Sequence, residues 1–167
     1  MRNPREIRTY DYVNHPYEGV RDRLLDDPLP TFREATHAAR DRAHVVAAAL
    51  RVNIAGVDLG KEVSITVGTH VESPAELGKQ PSTRIPIQWE AASGPRLFPL
   101  MKGELTLYPI TATETQLDFG GTYEPPMGAL GGVLDAVVGH RIAEASIHRF
   151  LSDVAHYLRS TMGPDQD

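Results

Sequence analysis

His140, Glu144 and His148 follow one another at steps of four residues, which on a helix puts successive side chains on neighbouring turns of one face. Together with Arg141 and Tyr123, the His140–Glu144 pair supplies the groups that general acid–base chemistry draws on. His140 and Glu144 interrupt a row of apolar residues, Val133, Val137, Ile147, Leu151, Val154 and Leu158, at steps of three and four. If that row faces a cavity, the pair gives it one polar spot for a hydroxyl, carbonyl or carboxyl group, the usual make-up of a ligand pocket. Each residue also has a plainer role open to it. The pair can sit on the helix edge and add a few tenths of a kcal/mol. Arg141 suits a surface ion pair worth under ~1 kcal/mol. Tyr123 suits packing at a sheet end with its hydroxyl bonded locally. Three ligands on one straight helix fan out too far to share a metal ion, and no fourth is evident, so no metal is expected.

No nucleophile motif accompanies these groups. There is no G-x-S-x-G, no cysteine and no Gly-rich phosphate loop followed by Lys-Ser/Thr, and no cofactor is expected. His15, His37, His44, His70 and His156 have no partner at a useful spacing. Cyclisation and dehydration by placed acids and bases need none of these motifs, so that chemistry stays open.

The elements that must position these residues are read from periodicity. Ile7 to Val13 suits a first strand, and Pro16 can open a helix carrying Tyr17, Val20 and Leu24 until Pro28 and Pro30 break it. TFREATHAARDRAH, residues 31–44, reads as a second short helix or a covering segment. From Val45 the period becomes two: Val46, Ala48, Leu50, Val52 and Ile54 share a face, as do Val63, Ile65 and Val67. VESPAELGKQPS reads as a long aperiodic loop suited to a lid. Ile85, Ile87 and Trp89 alternate next, with Pro86 favouring an edge or a bulge. Met101, Leu105 and Leu107 mark one strand face, and Leu117, Phe119 and Tyr123 another. Pro125-Pro126 ends that strand, and Gly128, Gly131 and Gly132 let a helix start close to the sheet rim. The apolar face of this helix shifts along its length, which predicts a bend near Gly139. Alternation with short connections implies an antiparallel sheet, and the last helix must cover its apolar face.

The totals narrow the setting. A chain of 167 residues is expected to form one domain, residues 1–167, with a core that needs no disulfide. A formal charge of −5 with scattered basic residues argues against a nucleic-acid partner. MRNPREIR lacks the apolar core of a signal peptide, and no apolar run reaches the ~18 residues of a membrane span. A cytoplasmic protein without stable membrane insertion, monomeric or homodimeric, is expected.

The closing stretch GGTYEPPMGALGGVLDAVVGHRIAEASIHRFLSDVA, a strand ending in G-x-Y-x-P-P-x-G followed by a helix, resembles the START-like or SRPBCC superfamily. That superfamily includes the Bet v 1 allergens and the polyketide cyclase/dehydrase proteins. The resemblance is motif-like over residues 120–154 and rests on element order elsewhere. It implies a helix-grip fold: an α+β domain with a curved antiparallel sheet of about six strands wrapped on a long C-terminal helix, and short helices after the first strand. It also implies an apolar cavity between sheet and helix that takes lipids, isoprenoids, steroids or polyketides, in members of which only some are enzymes. Expected cavity residues on the sheet are Ile87, Trp89, Met101, Leu105, Phe119 and Tyr123. From the following segment and helix they are Met127, Leu130, Leu134, Val137 and His140. A carrier or sensor of an apolar small molecule is the leading expectation. A cyclase, aromatase or dehydratase using His140, Glu144, Arg141 and Tyr123 is the alternative, and a partner-binding groove is the third.

Overall fold

Strand parity builds this molecule. The computed structural model describes residues 4–49, 63–91, 100–124 and 136–163. The elements run β1 (Arg5–Val13), α1 (Tyr17–Asp26), α2 (Pro28–Ala49), β2 (Val63–Val67), β3 (Val71–Ser73), β4 (Ser82–Ala91), β5 (Leu100–Thr111), β6 (Glu114–Glu124) and α3 (Ala136–Met162). All pairings are antiparallel, in the order β1-β6-β5-β4-β2, with β3 also on β4. This is the α+β helix-grip arrangement that the resemblance implies, a curved six-stranded sheet closed by a C-terminal helix.

Ile85, Ile87 and Trp89 on β4, Met101, Leu105 and Leu107 on β5, and Leu117, Phe119 and Tyr123 on β6 are all buried on one face. Facing them, α3 buries Ile142, Ala143, Ile147, Phe150, Leu151, Val154 and Leu158. Side chains of this size stabilise by about 1.5–3 kcal/mol each when fully buried, so the two faces together drive closure. Opposite strand faces carry Arg84, Lys102, Glu104 and Thr106 and are wet, as alternation requires.

The second helix departs from expectation. It spans 22 residues, runs past His44 and includes Val46 and Ala48, which were expected on a strand. Leu50, Val52 and Ile54 lie outside the described residues. The reason is local: the run Ala47-Ala48-Ala49 is made of the best helix former, and it continues an established helix more cheaply than it starts a strand. Pro28 and Pro30 stand in the first turn of α2, where a missing N–H costs nothing, so they open a helix as well as closing one. Phe32, Ala35, Ala39 and Ala43 form a buried stripe of mostly small residues, so α2 shares with α3 the covering expected of α3 alone.

The 71–82 segment is a hairpin arm and not an aperiodic loop. Val71–Ser73 pairs with Ser82–Arg84, and Glu76 and Lys79 exchange backbone hydrogen bonds of 2.9 and 3.2 Å. Gly78 closes that turn at φ 76, a left-handed conformation that glycine adopts without strain. Pro86 lies inside the sheet, with β5 on one side and the β2/β3 edge on the other. Its missing N–H falls where β2 gives way to β3, and its carbonyl accepts from Gly68 N at 2.8 Å. The edge strand is thus interrupted at the one residue of β4 that cannot donate.

Candidate functional site

The pairing registers line up one row across the sheet: Ile65 with Trp89, Trp89 with Met101, Met101 with Tyr123, and Tyr123 with Arg5. Paired residues share a face, so this row starts apolar and ends in a phenol and a guanidinium at the sheet's rim. The next row inward contains the pair Gly103–Gly121 between Ile87 and Ile7. The Phe119 ring leans into the gap: a Cβ on Gly103 would lie 2.3 Å from Phe119 Cζ.

Behind these rows the interior is aromatic. Trp89 meets Phe150 edge-on at 4.8 Å between ring centroids and Phe119 at 5.5 Å, while Phe32 of α2 stacks on Phe150 at 5.9 Å. The indole N–H donates to Thr36 Oγ1 at 2.9 Å, and the Thr36 hydroxyl donates to Phe32 O at 2.7 Å. Trp89 and Phe119 therefore spend their faces on partners from the helices. Ile87, Met101 and Leu105 lie buried beside them.

At the rim the chemistry changes. Tyr123 is 1% exposed, and its hydroxyl lies 2.8 Å from His140 Nδ1. His140 Nε2 lies 3.2 Å from Glu144 Oε1, and Arg5 hydrogen-bonds to the phenol. The imidazole side chain is 40% exposed and the Glu144 side chain 59%. The chain of contacts thus runs from water at Glu144, through a half-buried imidazole, to a phenol inside. Burial pushes the Tyr123 phenol above its ordinary pKa and Glu144's negative charge adds to this, while Arg5 pulls the other way by its charge and hydrogen bond. At neutral pH Tyr123 is a proton donor, not a phenolate. A carboxylate on Nε2 favours the tautomer with the proton there, leaving Nδ1 to accept from the phenol.

Of the expected acid–base residues, Tyr123, His140 and Glu144 come together. Arg141 is exposed and joins none of them by a hydrogen bond or ion pair. His148 is exposed, and among the described residues no three ligating side chains could hold a metal ion. Met127, Leu130 and Leu134 lie outside the described residues, as does the side chain of Val137. Arg5 was not expected. Its signal was its parity with Ile7 on the first strand, but only the β1–β6 register brings it to Tyr123. The 71–82 arm pairs with β4 some six residues, or about 20 Å of strand, from the Trp89 row, so it does not gate this rim.

No family model matches the chain, and no curated protein sequence matches it. Solved structures with a similar chain path include the Zhui aromatase/cyclase from Streptomyces sp. R1128, with 16% identity and a TM-score of 0.46 over 97% of this chain and 98% of that one. A conserved protein from Geobacillus kaustophilus has 13% identity and a TM-score of 0.47 over 94% and 97% of the two chains. Ara h 8.0201 has 9% identity and a TM-score of 0.39 over 95% and 99%. At these scores the likenesses carry no argument about what is bound or made. Among the described residues no helix is long and apolar enough to cross a membrane.

Proposed function

We propose that this protein binds an apolar small molecule of lipid, isoprenoid, steroid or polyketide type between its sheet and α3, as a carrier or sensor. The ligand's polar end meets the Tyr123–His140 rim. One observation supports this most: the row Trp89–Met101–Tyr123–Arg5 passes from a buried apolar surface to inward-facing hydrogen-bonding groups. Because Phe32, Trp89 and Phe119 all pack on Phe150, the ligand's proposed place is at the Met101–Tyr123 end. Residues 1–167 act in this proposal as a single cytoplasmic domain, monomeric or homodimeric. Native mass spectrometry of purified protein tests it, followed by extraction into organic solvent. A stoichiometric apolar molecule, released on extraction, is expected. Bare protein that also takes up no added fatty acid, sterol or aromatic ketone would refute it.

A second function, cyclase, aromatase or dehydratase, is favoured by the convergence of Tyr123 and His140 with the phenol held protonated. In it His140, held by Glu144, first takes a proton from water; Tyr123 then donates its proton to a substrate oxygen and recovers one from the imidazolium Nδ1. Arg141 has no part in it. Repeated turnover of a poly-β-ketone, abolished in His140→Gln, would distinguish this from carriage.

A further inference from the structure

We propose that the Arg5–Tyr123–His140–Glu144 rim is a proton-controlled subsite for an acceptor oxygen, a ketone or carboxyl group, on the apolar ligand. His140 decides where the Tyr123 hydroxyl donates. This rests on the ligand-binding function proposed above.

A phenol oxygen carries one proton and two lone pairs. Arg5 donates to one lone pair. While His140 is neutral, Glu144 keeps the ring proton on Nε2, and Nδ1 takes the phenol's proton across 2.8 Å. Tyr123 then has one lone pair left for the ligand and nothing to donate, so it suits a ligand hydroxyl. When His140 gains a proton, Nδ1–H donates to the phenol oxygen and occupies the second lone pair. The Tyr123 O–H must turn away from the imidazole, and inside an apolar face an unmet hydroxyl is costly. A ligand carbonyl or carboxylate meets it. One proton enters from water at the half-exposed imidazole, and none is exchanged with the ligand. The charged and titratable groups facing His140 are Tyr123 from β6, Arg5 from β1 beyond the phenol, and Glu144 on α3 itself.

Two probes with one carbon skeleton test this: 2-acetylnaphthalene, which only accepts, and 1-(2-naphthyl)ethanol, which also donates. Calorimetric titration at pH 8 and pH 5.5 gives the ratio of their affinities. In the wild type the ketone-to-alcohol ratio should rise about fivefold on acidification, the effect of one hydrogen bond gained or lost. In His140→Gln and in Tyr123→Phe both probes should still bind, with a ratio independent of pH. A flat ratio in the wild type with both probes bound overturns the proton control and leaves ligand binding standing. An equal rise in His140→Gln does the same. Failure of both probes to bind any form overturns the subsite, while the ligand-binding function is decided by the extraction and uptake test above.

Discussion

Replacing Gly103 by alanine should destabilise the protein, although alanine normally suits a strand better than glycine. The new methyl would sit 2.3 Å from Phe119 Cζ and 3.0 Å from the carbonyl oxygen of Gly120. An ordinary contact begins near 3.4 Å, so the ring must retreat by about 1 Å. It has little room, because Phe119 is fully buried between Trp89 at 5.5 Å and Phe150 at 6.4 Å. Overpacking of this kind costs roughly 1–3 kcal/mol. Against that, alanine reduces the freedom of the unfolded chain and returns about 0.4–1 kcal/mol. The net loss should be about 1–2 kcal/mol, or a fall in Tm of roughly 2–8 °C for a chain of this length. Thermal unfolding followed by circular dichroism measures it. Phe119→Leu should rescue part of the loss, with a coupling of about 1 kcal/mol in the double-mutant cycle. An unchanged or raised Tm in Gly103→Ala would refute the packing described for this row.

Two further outcomes follow from the same geometry. Raising the phenol pKa means the folded state keeps a proton that the unfolded state gives up near pH 10, so this stabilisation is present below about pH 10 and is lost as pH rises through the folded value. Spectrophotometric titration should therefore show Tyr123→Phe losing absorbance change from the part of the curve above about pH 10; loss from the part below it would contradict its burial. Thr36→Val should remove the hydroxyl that accepts from the buried Trp89 N–H and cost about 0.5–1.5 kcal/mol in chemical denaturation, while Thr36→Ser should cost less.

Strand faces were legible because parity is a local property: Ile85, Ile87 and Trp89, or Leu117, Phe119 and Tyr123, declare their shared side within a few residues. The tail of α2 was not, since VVAAA satisfies a period of two as well as a helix, and alanine propensity decided between them. Gly139, where a bend was expected, lies inside α3, while the glycine-rich lead before Ala136 lies outside the described residues. At the rim, His140 and Glu144 were visible through helical spacing, and Tyr123 through its strand end. Their conjunction was not, because Arg5 and Tyr123 meet only through a register between the first strand and the last. The Gly103–Phe119 contact was equally hidden, since no spacing rule says that one side chain will fill a neighbouring strand's vacancy.

The chain contains a single tryptophan, paired across the sheet with Met101, to report on a ligand at the Met101–Tyr123 end. Its one indole N–H resonance in a proton–nitrogen correlation spectrum can be followed as 2-acetylnaphthalene is added. The resonance should move or broaden saturably, with the same Kd that calorimetry gives, because the proposed ligand lies at the Met101–Tyr123 end, one strand from Trp89. A resonance that stays fixed while calorimetry shows the probe saturating its site would place binding elsewhere and contradict the account.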